Sequence, residues 1–138
     1  MADRVDKRKR SWMMSRVRGT DTHPEMIVRS FLHTYGFRYC LHVASLPGKP
    51  DIVLRRFRTV VFVNGCFWHH HQHCKRSQLP ASNAQFWKTK IMRNSARDQA
   101  NVRALRKLGW KVVVVWECAT RDSARLKKAV GPLLRMRR

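Results

Sequence analysis

Thirty Lys and Arg against eight Asp and Glu give this 138-residue chain a formal charge of +22 at pH 7, a field that selects polyanionic partners, nucleic acid ahead of a membrane surface. A hydrophobic content of 43% argues against general disorder, and the length suits a single domain with one core. No apolar run approaches the ~18 residues of a membrane span, and the charged N-terminus has no apolar leader segment, so a reducing, cytoplasmic setting is expected, where cysteines bind metal more often than they pair.

Residues 1–18 hold seven basic residues, interrupted by Trp12, Met13 and Met14. This pattern reads as a basic arm that orders on DNA, cations on phosphates and apolar side chains against a groove; residues 19–138 then form the domain proper. Asp21-Thr22 followed by Pro24-Glu25 marks a helix start, with Met26, Ile27, Phe31 and Leu32 as its buried stripe and Gly36 as its stop. Phe37 to Val43 reads as a strand, with Cys40 inside it as a small buried hydrophobe. Pro50 to Leu54 is a second strand and Thr59 to Val63 a third. Lys75 to Ser82 is a basic connector. From about Asn83 to Leu108 the spacing of Trp87, Ile91, Val102 and Leu105 predicts one long helix. Trp110 to Trp116 reads as a fully buried strand, and Arg121 to Arg138 as a basic closing helix. The order implies an α/β single domain, a mixed sheet flanked by helices, with a parallel pair made by the crossover from Val60–Val63 to Val112–Val115.

The stretch Gly65-Cys66-Phe67-Trp68-His69-His70-His71-Gln72-His73-Cys74 holds two of the four cysteines and four of the seven histidines. Parallel strands end at the same sheet edge, so Cys66 and Cys118, each just past a strand end, should meet there. Cys74 closes the intervening loop, and one histidine completes a tetrahedral set suited to structural zinc. The expected set is Cys66, His71, Cys74 and Cys118, with His73 the alternative fourth ligand.

Among the eight acids, Asp51 opens a strand beside Pro50 in an apolar run, where a carboxylate is costly unless it pairs or binds a cation. Asp98 shares the stripe of Ile91 and Val102; either it orients His69 or it pairs with one of the many arginines. Glu25 reads as a helix N-terminal acid.

A strand-opening Pro50-Asp51 followed by a second strand resembles the PD-(D/E)xK restriction-endonuclease-like fold, but Phe62-Val63-Asn64 stands where an acidic-x-Lys would be. The very-short-patch-repair (Vsr-type) mismatch endonucleases depart in this way. The chain resembles them in Met14-Ser15-Arg16, Asp21-Thr22 with Pro24-Glu25, Leu46-Pro47-Gly48-Lys49-Pro50-Asp51-Ile52, Phe62 to His69 and Trp116-Glu117-Cys118. The resemblance implies a nick in double-stranded DNA 5′ to the thymine of a T·G mismatch left by deamination of a methylated cytosine. It also implies a monomer in the bacterial cytoplasm, at the nucleoid, with repair-pathway proteins as further partners. By carry-over, Asp51 and the Val63 carbonyl bind Mg²⁺, His69 is the general base or water-positioner, Asp98 orients it, and Glu25 reaches the metal through water. Phe67, Trp68 and Trp87 form an aromatic wedge, though Trp87 on its stripe also reads as core. Met14, Arg16 and Lys49 fall in DNA-contacting motifs. Asn64 stands where other members carry His or Asp. A non-catalytic zinc-stapled DNA-binding module and a nuclease of broader specificity are the competing readings; Asp51 with His69 argues for an enzyme, since pure binding needs neither.

Overall fold

The computed structural model describes residues 21–136; the arm and its Met14 and Arg16 lie outside them. Four helices and four strands follow in the order α1 (His23–Thr34), β1 (Cys40–Leu41), β2 (Ile52–Leu54), β3 (Thr59–Asn64), α2 (Ala84–Lys107), β4 (Lys111–Trp116), α3 (Ser123–Ala129) and α4 (Gly131–Met136). The sheet order is β1-β2-β3-β4. The first two pairings are antiparallel and β3 runs parallel to β4, so the sheet is mixed, as expected.

The period-2 alternation of strands sorts the core into two layers. Ile52, Leu54, Val61, Val113 and Val115 meet Val28 and Leu32 of α1 and Leu126, Val130 and Leu133 of the C-terminal helices. Val53 and Val60 turn the other way, against Leu105 of α2 and Trp110. The result is a sheet covered on both faces, three layers deep.

Local chemistry sets the boundaries. Thr22 caps α1, its Oγ1 accepting the Glu25 N–H at 3.3 Å, with Pro24 in the first turn. Helix α2 ends at Lys107 with Leu108 as its C-cap, followed by Gly109 at φ +92°, a left-handed stop that suits glycine.

Four expectations need correction. The strand expected over 37–43 pairs only at Cys40–Leu41. Phe37 is buried in the core instead, and His42 leaves the strand at φ +49°. Cys40 is not a buried hydrophobe; it is exposed, as is Leu41, on a two-residue strand at the sheet edge. Strand β4 is not buried throughout: Lys111 is exposed and burial alternates along it. The single closing helix is a 3₁₀ turn over Glu117–Arg121 and two short helices. Pro132 sits second in α4, where its missing N–H costs nothing, and it cannot continue a helix from α3.

Candidate active site and metal centre

Strand β2 begins at the sheet edge where β3 and β4 end, because β2 runs antiparallel to β3 and β4 parallel to it. Side chains just before β2 and just after β3 and β4 therefore converge. Ile52 faces Val61, which brings Asp51 to the last residues of β3, where its Oδ2 accepts the Val63 N–H at 2.7 Å. Burial pushes the Asp51 carboxyl up to about 6; the Val63 N–H pulls it down, neighbouring Glu25 pushes it up, and His42 and His69 pull it down. Burial outweighs the pull of its partners, so this carboxylate favours a proton or a bound cation. Val63 thus meets Asp51 through its N–H.

His69 follows β3 in the loop, and Asp98 stands on α2. They meet at 2.5 Å between His69 Nδ1 and Asp98 Oδ2, each side chain about two-thirds buried. Asp98 is thus bound to the histidine rather than to an arginine. A carboxylate at Nδ1 fixes the proton there and leaves the Nε2 lone pair available. Asp51, His69 and Asp98 line one cleft of about 960 Å³, which Lys49, Asn64, Arg103 and Arg106 also border. Its basic side chains are exposed and its acids half-buried.

The loop that carries His69 is tied to its own backbone: His69 N–H donates to Gly65 O at 3.1 Å and His71 N–H to Cys66 O at 3.0 Å. Asn94 of α2 donates to Trp68 O at 3.2 Å. Phe67, Trp68 and Trp87 pack edge to face, with centroids 5.2, 5.7 and 6.0 Å apart, a geometry aromatic rings favour. Trp87 is half-buried in this trio rather than in the core. Phe86, missed in the sequence, lies 5.2 Å from Trp87 and is 55% exposed. Lys90 sits over both indoles, 5.4 Å from Trp68 and 5.8 Å from Trp87.

Ligand atoms of Cys66, His71, Cys74 and Cys118 all lie within 4.8 Å of one another. His73 stands apart from the group, exposed and at φ +59°. Tetrahedral Zn–S bonds of about 2.3 Å place sulfurs about 3.8 Å apart, so this Cys₃His set fits zinc in donor type, number and spacing. The ionisation of the group is uneven without a cation. Burial pushes the Cys66 thiol up to about 12, aided by the crowding thiols of Cys118 and Cys74. At Cys74 the upward push of burial is outweighed by the Arg76 N–H and the two neighbouring thiols, which draw it down. Burial and the Arg125 charge hold His71 in its neutral, ligating form. Its ring stacks on Trp116 at 4.2 Å, and Arg125 donates to Cys118 Sγ at 3.3 Å.

Glu25 is not a free helix-start acid. It is 1% exposed and accepts from Arg29 and from His42 Nε2, the latter at 2.8 Å. Asp21, Glu25 and His42 are close enough to hold an ion, but Arg29 also reaches Asp21 at 2.5 Å, so a guanidinium lies among these acids. Arg29 and His42 went unread in the sequence. Nothing local links His42 to a helix start so far back in the chain.

A basic α/β domain with a buried carboxylate and a carboxylate–imidazole pair at one sheet edge has the make-up of a DNA-cleaving hydrolase. Residues 2–76 match the model of the family DNA mismatch endonuclease Vsr, and the chain belongs to that family. It is 46% identical over 136 residues to the type II nicking enzyme V.XorIIP of Xanthomonas oryzae pv. oryzae, covering 96% of this chain and 99% of that one. It is 43% identical over 135 residues to the type II nicking enzyme V.NmeAIP of Neisseria meningitidis, covering 98% and 96%. To the DNA mismatch endonuclease Vsr of Escherichia coli it is 44% identical over 126 residues, covering 91% and 80%. The protein is a DNA endonuclease with DNA as its substrate. No helix among the described residues is long and apolar enough to cross a membrane.

Proposed function

We propose that this endonuclease makes a Mg²⁺-dependent single-strand nick 5′ to the thymine of a T·G mismatch arising from deaminated 5-methylcytosine, the opening step of very short patch repair. The observation that carries the reading is the convergence, at one sheet edge, of Asp51, the His69–Asp98 pair and the aromatic trio. Asp51 with the Val63 carbonyl would hold Mg²⁺, which when bound supplies a Lewis acid for phosphodiester hydrolysis. His69 takes a proton at Nε2 from the attacking water, and Asp98 holds the ring in that tautomer. Phe67, Trp68 and Trp87 enter the base stack at the mismatch, where unpairing costs least. Lys49 at the cleft rim, Met14, Arg16 and the arm of residues 1–18 engage phosphates and groove. Zinc held by Cys66, His71, Cys74 and Cys118 is structural and pins the loop that carries both the wedge and the base. The enzyme acts as a monomer on chromosomal DNA in the bacterial cytoplasm. The names of the relatives, nicking enzymes and a mismatch endonuclease, support this reading.

The test is cleavage of a panel of T·G duplexes differing in flanking sequence, with matched T·A controls, each with Mg²⁺ and with chelator. The expected outcome is a single nick 5′ to T in a subset of contexts and only with Mg²⁺. Equal cleavage of T·A duplexes would favour a general nuclease; no cleavage of any duplex would favour a binding module.

A further inference from the structure

A second carboxylate–imidazole pair stands beside the first. His42 Nε2 lies 2.8 Å from Glu25 Oε2, and His42 lines the same cleft as Asp51 and His69. Its main chain bonds separately, the His42 N–H donating to Asp51 O at 3.1 Å, one rung beyond the Leu41–Ile52 pair of β1 and β2. This rung is made at φ +49°, a left-handed conformation that a residue with a β-carbon holds only when its surroundings demand it. One residue is therefore bonded to both acids, to Asp51 through the main chain and to Glu25 through the ring. Glu25 is buried and Arg29 also donates to it, so its carboxylate is held from two sides. The charges of Glu25 and His42 are both felt at Asp51, which places the two acids within one electrostatic neighbourhood.

We propose that His42 is a positioning residue for the nicking reaction, setting the spacing of Glu25 and Asp51 across which a hydrated divalent cation would sit. The proposal rests on the reading of Asp51 as the cation ligand. Residues that orient a metal site in this way typically change metal affinity or activity by roughly 10–100-fold when lost.

The informative variant is His42→Asn. Asparagine tolerates the left-handed φ, so the backbone rung to Asp51 survives, but its side chain is too short to reach Glu25. Single-turnover nicking of a T·G duplex is followed against Mg²⁺ concentration. In His42→Asn the concentration for half-maximal nicking should rise roughly 10–100-fold, with duplex binding in the absence of divalent cation unchanged. His42→Gln, whose longer amide still donates to Glu25, should recover most of the loss. In a Glu25→Gln background His42→Asn should add little, because the two act through one hydrogen bond. A wild-type Mg²⁺ response in both His42 variants, or equal losses in the presence and absence of the Glu25 carboxylate, would overturn the proposal. Asp51→Ala tested alongside separates the two levels. If it nicks at the wild-type rate, the metal reading fails; if it is inactive while His42→Asn is normal, only the positioning role of His42 fails.

Discussion

Replacing Asp51 by Asn should stabilise the metal-free protein while abolishing its activity. Burial raises the Asp51 carboxyl from 3.8 to about 6, and each tenfold change in acidity corresponds to about 1.4 kcal/mol between the two protonation states. Holding Asp51 ionised thus costs the folded state on the order of 3 kcal/mol, and nearer ~2 kcal/mol after allowing for its partial exposure to solvent. A carboxyl raised in the fold carries no penalty below its unfolded value near 4; the penalty grows as pH rises and is complete above about 6. Asn keeps an oxygen for the Val63 N–H and never ionises. Urea unfolding in divalent-free buffer, from about pH 5 to about pH 8, should place Asp51→Asn about 1–3 kcal/mol above wild type at the alkaline end, which at a typical slope is a midpoint shift of about 1 M. The gap should narrow to roughly half toward the acid end. Millimolar Mg²⁺ should raise the wild type alone, by mass action. A variant no more stable than wild type at the alkaline end, or a gap independent of pH, would refute the claim that Asp51 is held ionised against desolvation.

Cys118→Ser should lower both zinc content and thermal stability, since such sites couple to folding; elemental analysis finding no zinc in purified, unchelated wild type would rule the assignment out. Deleting residues 1–18 should weaken duplex binding and flatten the slope of log affinity against log salt, because fewer counterions are released; an unchanged slope would make the arm a mere tail. His69→Ala should slow single-turnover nicking by roughly 10²–10⁴-fold at saturating enzyme, with Asp98→Asn between it and wild type. A wild-type rate for His69→Ala would leave the base to a cation-bound water.

Much of the fold was legible because two signals are local. Thr59 to Val63 and Lys111 to Trp116 are β-branched runs, and the long spacing of Trp87, Ile91 and Leu105 admits only a helix. The convergence of Cys66 with Cys118 also followed, since a crossover between neighbouring strands makes them parallel and parallel strands end at the same sheet edge. What escaped depends on register and partners remote in sequence. The exposure of Cys40 goes with β1 being a two-residue strand at the sheet edge, which no residue of β1 encodes. Val63 meets Asp51 through its N–H because of the β2–β3 register. The Glu25–His42 pair joins a helix start to a strand end, and neither segment announces the other. The break at Gly131-Pro132 was readable; the basic run around it hid the stop.

The placement of the loop explains why a metal staple belongs beside a nuclease site. Cys66, His71, Cys74 and Cys118 gather at the ends of β3 and β4, and the functional side chains sit between them in sequence: Phe67, Trp68 and His69 fall after Cys66 and before His71. The loop is rich in histidine and holds His70 and His73 at positive φ. A wedge must push into a base stack, and a general base must keep its lone pair within hydrogen-bond reach of water; both need a rigid mount. Asn94 and Asp98, on adjacent turns of α2, grip the same loop at Trp68 O and His69 Nδ1, so the long helix braces what a bound metal would tie. If zinc is the tie, its loss should degrade mismatch binding and nicking together, whereas loss of Asp51 should touch nicking alone, and the two defects separate the staple from the chemistry.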